Sequence, residues 1–194
     1  MYLDDDFFKA YEKKEVYDFN GHAILTDEDL KEVTWDWMVD FIDTYPKKLC
    51  KIIHEQIGWN LLDLQLQDNR PLWVKKIGQE LEEAFPDKLI TCIGFGGFSD
   101  QHLSFDHHMD SMSVLYVQAL GEIEWSNFEP LPNAQPIYSH DKGASLKPHE
   151  LKRIYSDWFY PGRAIYVPAG VYHHVKPYTT RAGFSFGIEP RRAI

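Results

Sequence analysis

The residues best suited to chemistry stand in two short clusters. DHHMD, residues 106–110, packs two histidines and two carboxylates into five positions at the mouth of a hydrophobic run. In an extended chain alternate residues share a face, so His108 and Asp110 project together while His107 points the other way. The even series continues through Met112, Val114, Tyr116 and Gln118. One imidazole beside one carboxylate makes two-thirds of a 2-His-1-carboxylate triad, which leaves coordination positions open and marks non-haem Fe(II) oxygenases. The remaining ligand has to come from a distant histidine. PGRAIYVPAGVYHHV, far downstream, holds the candidates His173 and His174. Either cluster taken alone also reads as a solvated turn. Each borders a β-rich segment, and together they read as two halves of one metal site.

Two textures of sequence must position these clusters. From Thr26 to Pro86 the patterns are mostly helical. Thr26-Asp27-Glu28-Asp29 resembles a capping box with Asp in place of Glu, and Leu30, Val33, Trp37 and Phe41 follow at helical spacing. Tyr45-Pro46 ends that helix, since a residue before proline avoids the α region. KKLCKIIHEQIG predicts a second helix stopping near Gly58, and Arg70-Pro71 opens a third through Val74, Ile77, Leu81 and Phe85. After Pro86 come LITCIGFGGF, SMSVLYVQAL, EIEWSNF, RAIYVPAG, YHHV and RAGFSFGI, rich in β-branched and aromatic residues and separated by turn formers. Between them, KPHELKRIYSDW is expected to hold one short helix. The expected fold is mainly β, a double-sheet jelly roll or barrel behind a helical N-terminal part. One domain is expected over residues 1–194, with 1–87 as the mostly helical preface and 88–190 as the β core.

Composition narrows the partners. The net charge of −10 repels polyanions, so nucleic acid is disfavoured and a small molecule or a basic protein segment fits better. Cys50 and Cys92 are too few for a disulfide framework and read as buried thiols in a reducing compartment. No signal core and no run of about 20 apolar residues is visible, so a cytoplasmic protein without membrane attachment is expected. GFGGFS, residues 94–99, lacks the Gly-Lys-Ser/Thr ending of a phosphate loop and reads as a glycine-relieved strand. Trp35, Trp37 and Trp73 read as packing residues. His102, His140 and His149 show no ligand spacing, and Arg191-Arg192 is too short a basic tail to imply a partner.

HHMDSMSVLYVQALGEIEW followed by YPGRAIYVPAGVYHHV resembles the Jumonji-C type of cupin, the Fe(II)/2-oxoglutarate oxygenases that include protein hydroxylases. The likeness rests on His108-x-Asp110, on Gln118-x-x-Gly121 with Trp125 beyond, on Pro161-Gly162, on Pro168-x-Gly170, and on a histidine five residues after Pro168. It covers about residues 90–190. The resemblance implies a double-stranded β-helix with His108, Asp110 and His173 as iron ligands. His107 and His174 then become neighbours of second rank, alongside Gln118 and Trp125. It implies 2-oxoglutarate as cosubstrate, its decarboxylation coupled to substrate oxidation, and it allows a homodimer through the helical preface.

Two positions depart from the family pattern. Arg163 follows Pro161-Gly162 where an Asp is common, a change that concerns the turn. More seriously, Ile123 stands where many members carry the Lys or Arg that grips the distal carboxylate of 2-oxoglutarate. Arg181 is the expected substitute, on the last strand with Ser185 on the same face, and Tyr116 is a further candidate donor to that carboxylate. The alternative is a metal-dependent cupin, an isomerase or cosubstrate-free dioxygenase, that makes no use of 2-oxoglutarate. Ile123 favours that view and Arg181 opposes it.

Overall fold

The computed structural model describes residues 1–44, 50–53, 56–61, 70–100, 107–130 and 151–191. Helix α1, Asp5–Lys13, starts where the Asp4 carboxylate accepts from the Phe7 amide, and it buries Phe7 and Ala10. The predicted capping box forms at the start of α2, Asp27–Leu30, with Thr26 and Asp29 bonded reciprocally. The single helix expected beyond it is two helices. The Thr34 hydroxyl accepts from the Trp37 amide at 3.1 Å and so caps a separate α3, Trp35–Thr44; the expected stop at Tyr45-Pro46 lies outside the described residues. Helix α4, Leu72–Ala84, follows Pro71 as expected and buries Trp73, Val74, Ile77 and Leu81 along one stripe.

Two other helical expectations fail. Within KKLCKIIHEQIG the chain forms strand β1, Cys50–Ile53, paired antiparallel with β2, Gln56–Leu61, which in turn pairs with β3, Lys88–Gly97. Cys50, Ile53 and Ile57 satisfy a helical period, yet the same run is rich enough in isoleucine for strands, and pairing onto a sheet edge decides. The preface is therefore not purely helical. In KPHELKRIYSDW, residues 147–150 lie outside the described set and Leu151–Phe159 forms strand β6. Its later half alternates, with Tyr155, Asp157 and Phe159 turned in and Ser156 and Trp158 exposed, which is the period of a strand.

The remaining strands are β4, Ser113–Leu120; β5, Ile123–Pro130; β7, Ala164–Val167; β8, Tyr172–Pro177; and β9, Arg181–Pro190. Among the described residues a larger sheet runs β1-β2-β3-β9-β4-β7 and a smaller one β6-β5-β8, with every pairing antiparallel. A short bridge between His108 and His173 adds residue 108 beside β8 on the smaller sheet. The chain then crosses to the larger sheet to begin β4. This is the jelly roll that the sequence predicts.

Strands β4, β7 and β9 of the larger sheet are buried on both faces, and β9 shows how the sequence divides them. Ala182, Phe184, Phe186 and Ile188 pack with Leu115, Val117 and the helical residues Phe7, Trp73 and Ile77 in the outer core. The alternate residues Gly183, Ser185 and Gly187 face the interior, where small side chains leave room between the sheets. A second apolar cluster, including Val114, Ile123, Trp125, Ile165 and Val175, closes the jelly roll below that space. Among the described residues no helix is long and apolar enough to cross a membrane.

Candidate metal centre

His173 is fixed by its place in β8, where the His108–His173 pair exchanges both backbone bonds, at 3.2 and 2.8 Å. The Gly170 amide donates to the Asp110 carbonyl at 2.9 Å, so the two halves of the sequence meet through the backbone before any side chain acts. Ligand atoms of His108, Asp110 and His173 then lie within 4.8 Å of one another. His108 and His173 are 7% and 4% exposed. His173 Nδ1 donates to the Val171 carbonyl at 3.1 Å, which leaves the Nε2 lone pair facing Asp110 Oδ2 at 3.5 Å. Two imidazoles and one carboxylate, converging in a buried niche, form a donor set that fits a divalent first-row metal such as Fe(II).

The triad opens into a cavity of about 160 Å³. Met112, Val114 and Tyr116 line it together with His108 and Asp110, as the even series predicts. The reason differs from the expected one: residues 111–112 form a bend between the two sheets, and only from Ser113 is the chain a strand. β9 contributes Arg181 and Ser185, and Ser185 pairs in register with Tyr116. The sequence reading missed the third wall, formed by Thr91, Ile93 and Phe95 of β3, although the alternation in LITCIGFGGF carried that signal. GFGGFS is thus part of a strand and its end, not a phosphate loop.

Arg181 is 2% exposed. Burial holds its pKa below the ordinary value, and the nearby Tyr116 phenol counters part of that shift. The Tyr116 phenol is itself pushed up by burial, with the arginine opposing. Gln118 does not line the cavity. Its Nε2 donates to the Leu120 and Gly121 carbonyls at 2.8 and 3.1 Å, so Oε1 is left as an acceptor and takes the Tyr116 hydroxyl proton at 2.5 Å. Tyr116 therefore keeps only lone pairs to offer inside the cavity. Its ring lies where a side chain on Gly183 would be, since a Cβ there would meet the hydroxyl at 2.0 Å.

The other singled-out residues separate clearly. His107 and His174 stack on each other at 4.5 Å on the opposite side of the smaller sheet, along a groove that also holds Glu124 and Lys176. Trp125 lines the cavity and lies flat against His173, with ring centroids 5.2 Å apart. Ile123 is fully buried among apolar neighbours. Arg163, read from sequence as a turn residue, is buried: it donates to Asp157 and the Trp158 carbonyl at 2.7 Å each and lies over the Phe159 ring. Trp37 and Trp73 pack against Phe184, and Trp35 against Phe98. The Cys92 thiol is buried, and the Arg191 side chain donates to the Lys88 carbonyl. His102, His140, His149 and Arg192 lie outside the described residues, as does the side chain of Cys50.

A jelly roll holding two histidines and a carboxylate at one mouth defines a cupin-type metalloprotein. The sequence profile of the JmjC domain matches residues 74–193, well over half of the chain, and the protein belongs to that family. No curated protein matches the sequence. Solved structures of the Escherichia coli ribosomal oxygenase YcfD share the fold. One matches at a TM-score of 0.59 with 14% identity, covering 99% of this chain and 52% of that one. Another, solved in complex with cobalt and 2-oxoglutarate, matches at 0.51 with 15% identity, covering 72% of this chain and 32% of that one. This chain thus spans about half or less of the length of those relatives.

Proposed function

We propose that this chain is an Fe(II)- and 2-oxoglutarate-dependent oxygenase, a hydroxylase of a protein side chain or small molecule. One observation carries the reading: His108, Asp110 and His173 converge on a cavity that also holds the buried cation Arg181. The YcfD neighbour solved with cobalt and 2-oxoglutarate supports it. Iron bound by the triad would supply oxygen activation coupled to decarboxylation of the keto acid. The chain's own residues do the rest. His173 is kept in the tautomer that presents Nε2. Arg181 takes the distal carboxylate with a planar guanidinium, and Ser185 lies on the same strand face. Tyr116, its proton committed to Gln118, steadies the arginine from the side. The apolar walls of β3 and β4 keep water from the reacting groups.

Ile123 cannot bind a carboxylate, so that role falls to Arg181, buried in the wall of the cavity. The neighbours' description as ribosomal oxygenases favours a protein side chain as substrate, and the charge of −10 suits a basic partner over a nucleic acid. A cytoplasmic protein, with the helical preface available for a homodimer, completes the reading. The buried Ile123 favours a second reading, a metal-dependent cupin that does not use 2-oxoglutarate. Anaerobic titration of the Fe(II) protein with 2-oxoglutarate separates the two. The expected result is a saturable visible charge-transfer band, shifted at least about 10-fold to higher 2-oxoglutarate in Arg181→Ala and absent in His108→Ala. Iron binding without any band at saturating cosubstrate would establish the second reading.

A further inference from the structure

Asn127 has no part in the site as drawn so far, yet it sits at the level of the metal ligands. On β5 it shares the inward face with Trp125 and pairs in register with His173 across to β8. It is fully buried. Its Oδ1 accepts the Trp125 indole N–H at 2.8 Å, a bond shielded from solvent. The indole, so held, lies within 12° of parallel to the His173 imidazole. His173 is pinned on its other side by the Val171 carbonyl. A chain of contacts thus runs from Asn127 through Trp125 to a ligand nitrogen.

The other half of the Asn127 amide gives a second, independent sign. Its Nδ2 is buried and finds no acceptor among the described residues. A buried amide donor without a partner is unfavourable, and a leucine there would carry no such cost. Leucine would, however, strip the Trp125 N–H of the acceptor it has among the described residues and let the indole turn. Aspartate would accept the same proton, but it would add a second negative charge beside a triad that already contains Asp110. Of these three side chains, only asparagine supplies the indole with a neutral acceptor. Its side chain is therefore explained by what it does for Trp125.

We propose that Asn127 is a positioning residue for the metal centre, acting through the Trp125 indole to hold the His173 ring in its ligating orientation. The inference rests on the metal-binding role of the triad. Residues that orient a metal-bound histidine from outside the ligand set change metal affinity by about 10–100-fold when removed. Acting through one N–H, Asn127 and Trp125 must also be coupled: removing either should have the same consequence as removing both.

Co(II) binding to the whole chain, followed by its visible d–d absorption, gives the test without any catalytic turnover. The variants are Asn127→Leu, Trp125→Phe, which keeps a stacked ring but lacks the N–H, and the pair combined. The expected result is at least about 10-fold weaker Co(II) binding in each single variant, an altered d–d spectrum, and no further loss in the double variant. Wild-type affinity and spectrum in Asn127→Leu would overturn the inference, as would losses that multiply in the double variant. Trp125→Phe, the milder change, keeps the test decisive if Asn127→Leu fails to fold: normal cobalt affinity in that variant is incompatible with the relay. Failure of the wild-type chain itself to bind cobalt, with His108→Ala indistinguishable from it, would overturn the metal centre and this inference together.

Discussion

In the proposed reading Arg181 on β9 takes the role that the resemblance assigns to the position of Ile123 on β5, a strand of the other sheet. Its value lies in geometry as much as charge, because a guanidinium offers a planar fork to a carboxylate and an ammonium does not. Arg181→Lys is therefore expected to raise the KM for 2-oxoglutarate about 10-fold while leaving Co(II) affinity unchanged, measured by steady-state succinate formation and by cobalt titration. Tyr116 tests the hydrogen-bond assignment. Gln118 Oε1 is buried, so Tyr116→Phe leaves it without its donor and should cost about 1–3 kcal/mol in urea unfolding. Gln118→Glu in place of that change would put a charge beside a buried phenol and should cost more.

At the scale of elements, α2 shows how a short helix can be held by one carboxylate. Asp29 accepts from the Thr26 amide at 2.9 Å, the Thr26 hydroxyl at 2.7 Å and the Tyr2 hydroxyl at 2.9 Å. Burial alone would raise its pKa, but these bonds outweigh burial and bring it below the ordinary 3.8. A folded-state pKa below the unfolded one contributes stability that is fully present above about 3.9 and lost as pH falls through the folded value. Unfolding free energies measured from pH 5 downward should therefore drop less steeply in Asp29→Asn than in the wild type, the difference appearing only below about pH 4. β9 and β4 depend on close approach instead. Adding a methyl at Gly183 would drive Tyr116 off its bond to Gln118, so Gly183→Ala should lower stability by about 1–3 kcal/mol and weaken 2-oxoglutarate binding with it.

For the whole molecule, metal binding and folding are linked, since the ligands come from both halves of the β core and meet only when it closes. A ligand that binds the folded state alone adds about 2.7 kcal/mol at 100 times its dissociation constant. For a chain of this size that corresponds to a rise of about 5–10 °C in Tm. Differential scanning fluorimetry with Co(II) should show that rise in the wild type and none in His108→Ala. The segment before α2 is tied to the barrel by Arg163, which reaches Asp18 at 3.8 Å as well as Asp157. Arg163→Met should cost about 2 kcal/mol, less than for a fully buried pair because Asp157 is partly exposed.

Much of this was legible in the chain itself. The His-x-Asp cluster, the distant histidine, the glycine-spaced β segments and the capping box are local patterns, and local patterns survive translation into structure because side-chain period and backbone preference act within a few residues. The strand identity of Cys50–Leu61 and Leu151–Phe159 was not legible, because their apolar spacing suits helix and strand alike and only a free sheet edge or a partner strand chooses. The Asn127–Trp125–His173 relay was equally hidden, since its members become neighbours only by cross-strand register. So was the burial of Arg163, whose partners are supplied by the fold. Spacing along the chain determined which residues could bind a metal. Which groups would surround them depended on long-range pairing of strands, a choice made by burial of the whole core and not by any one segment.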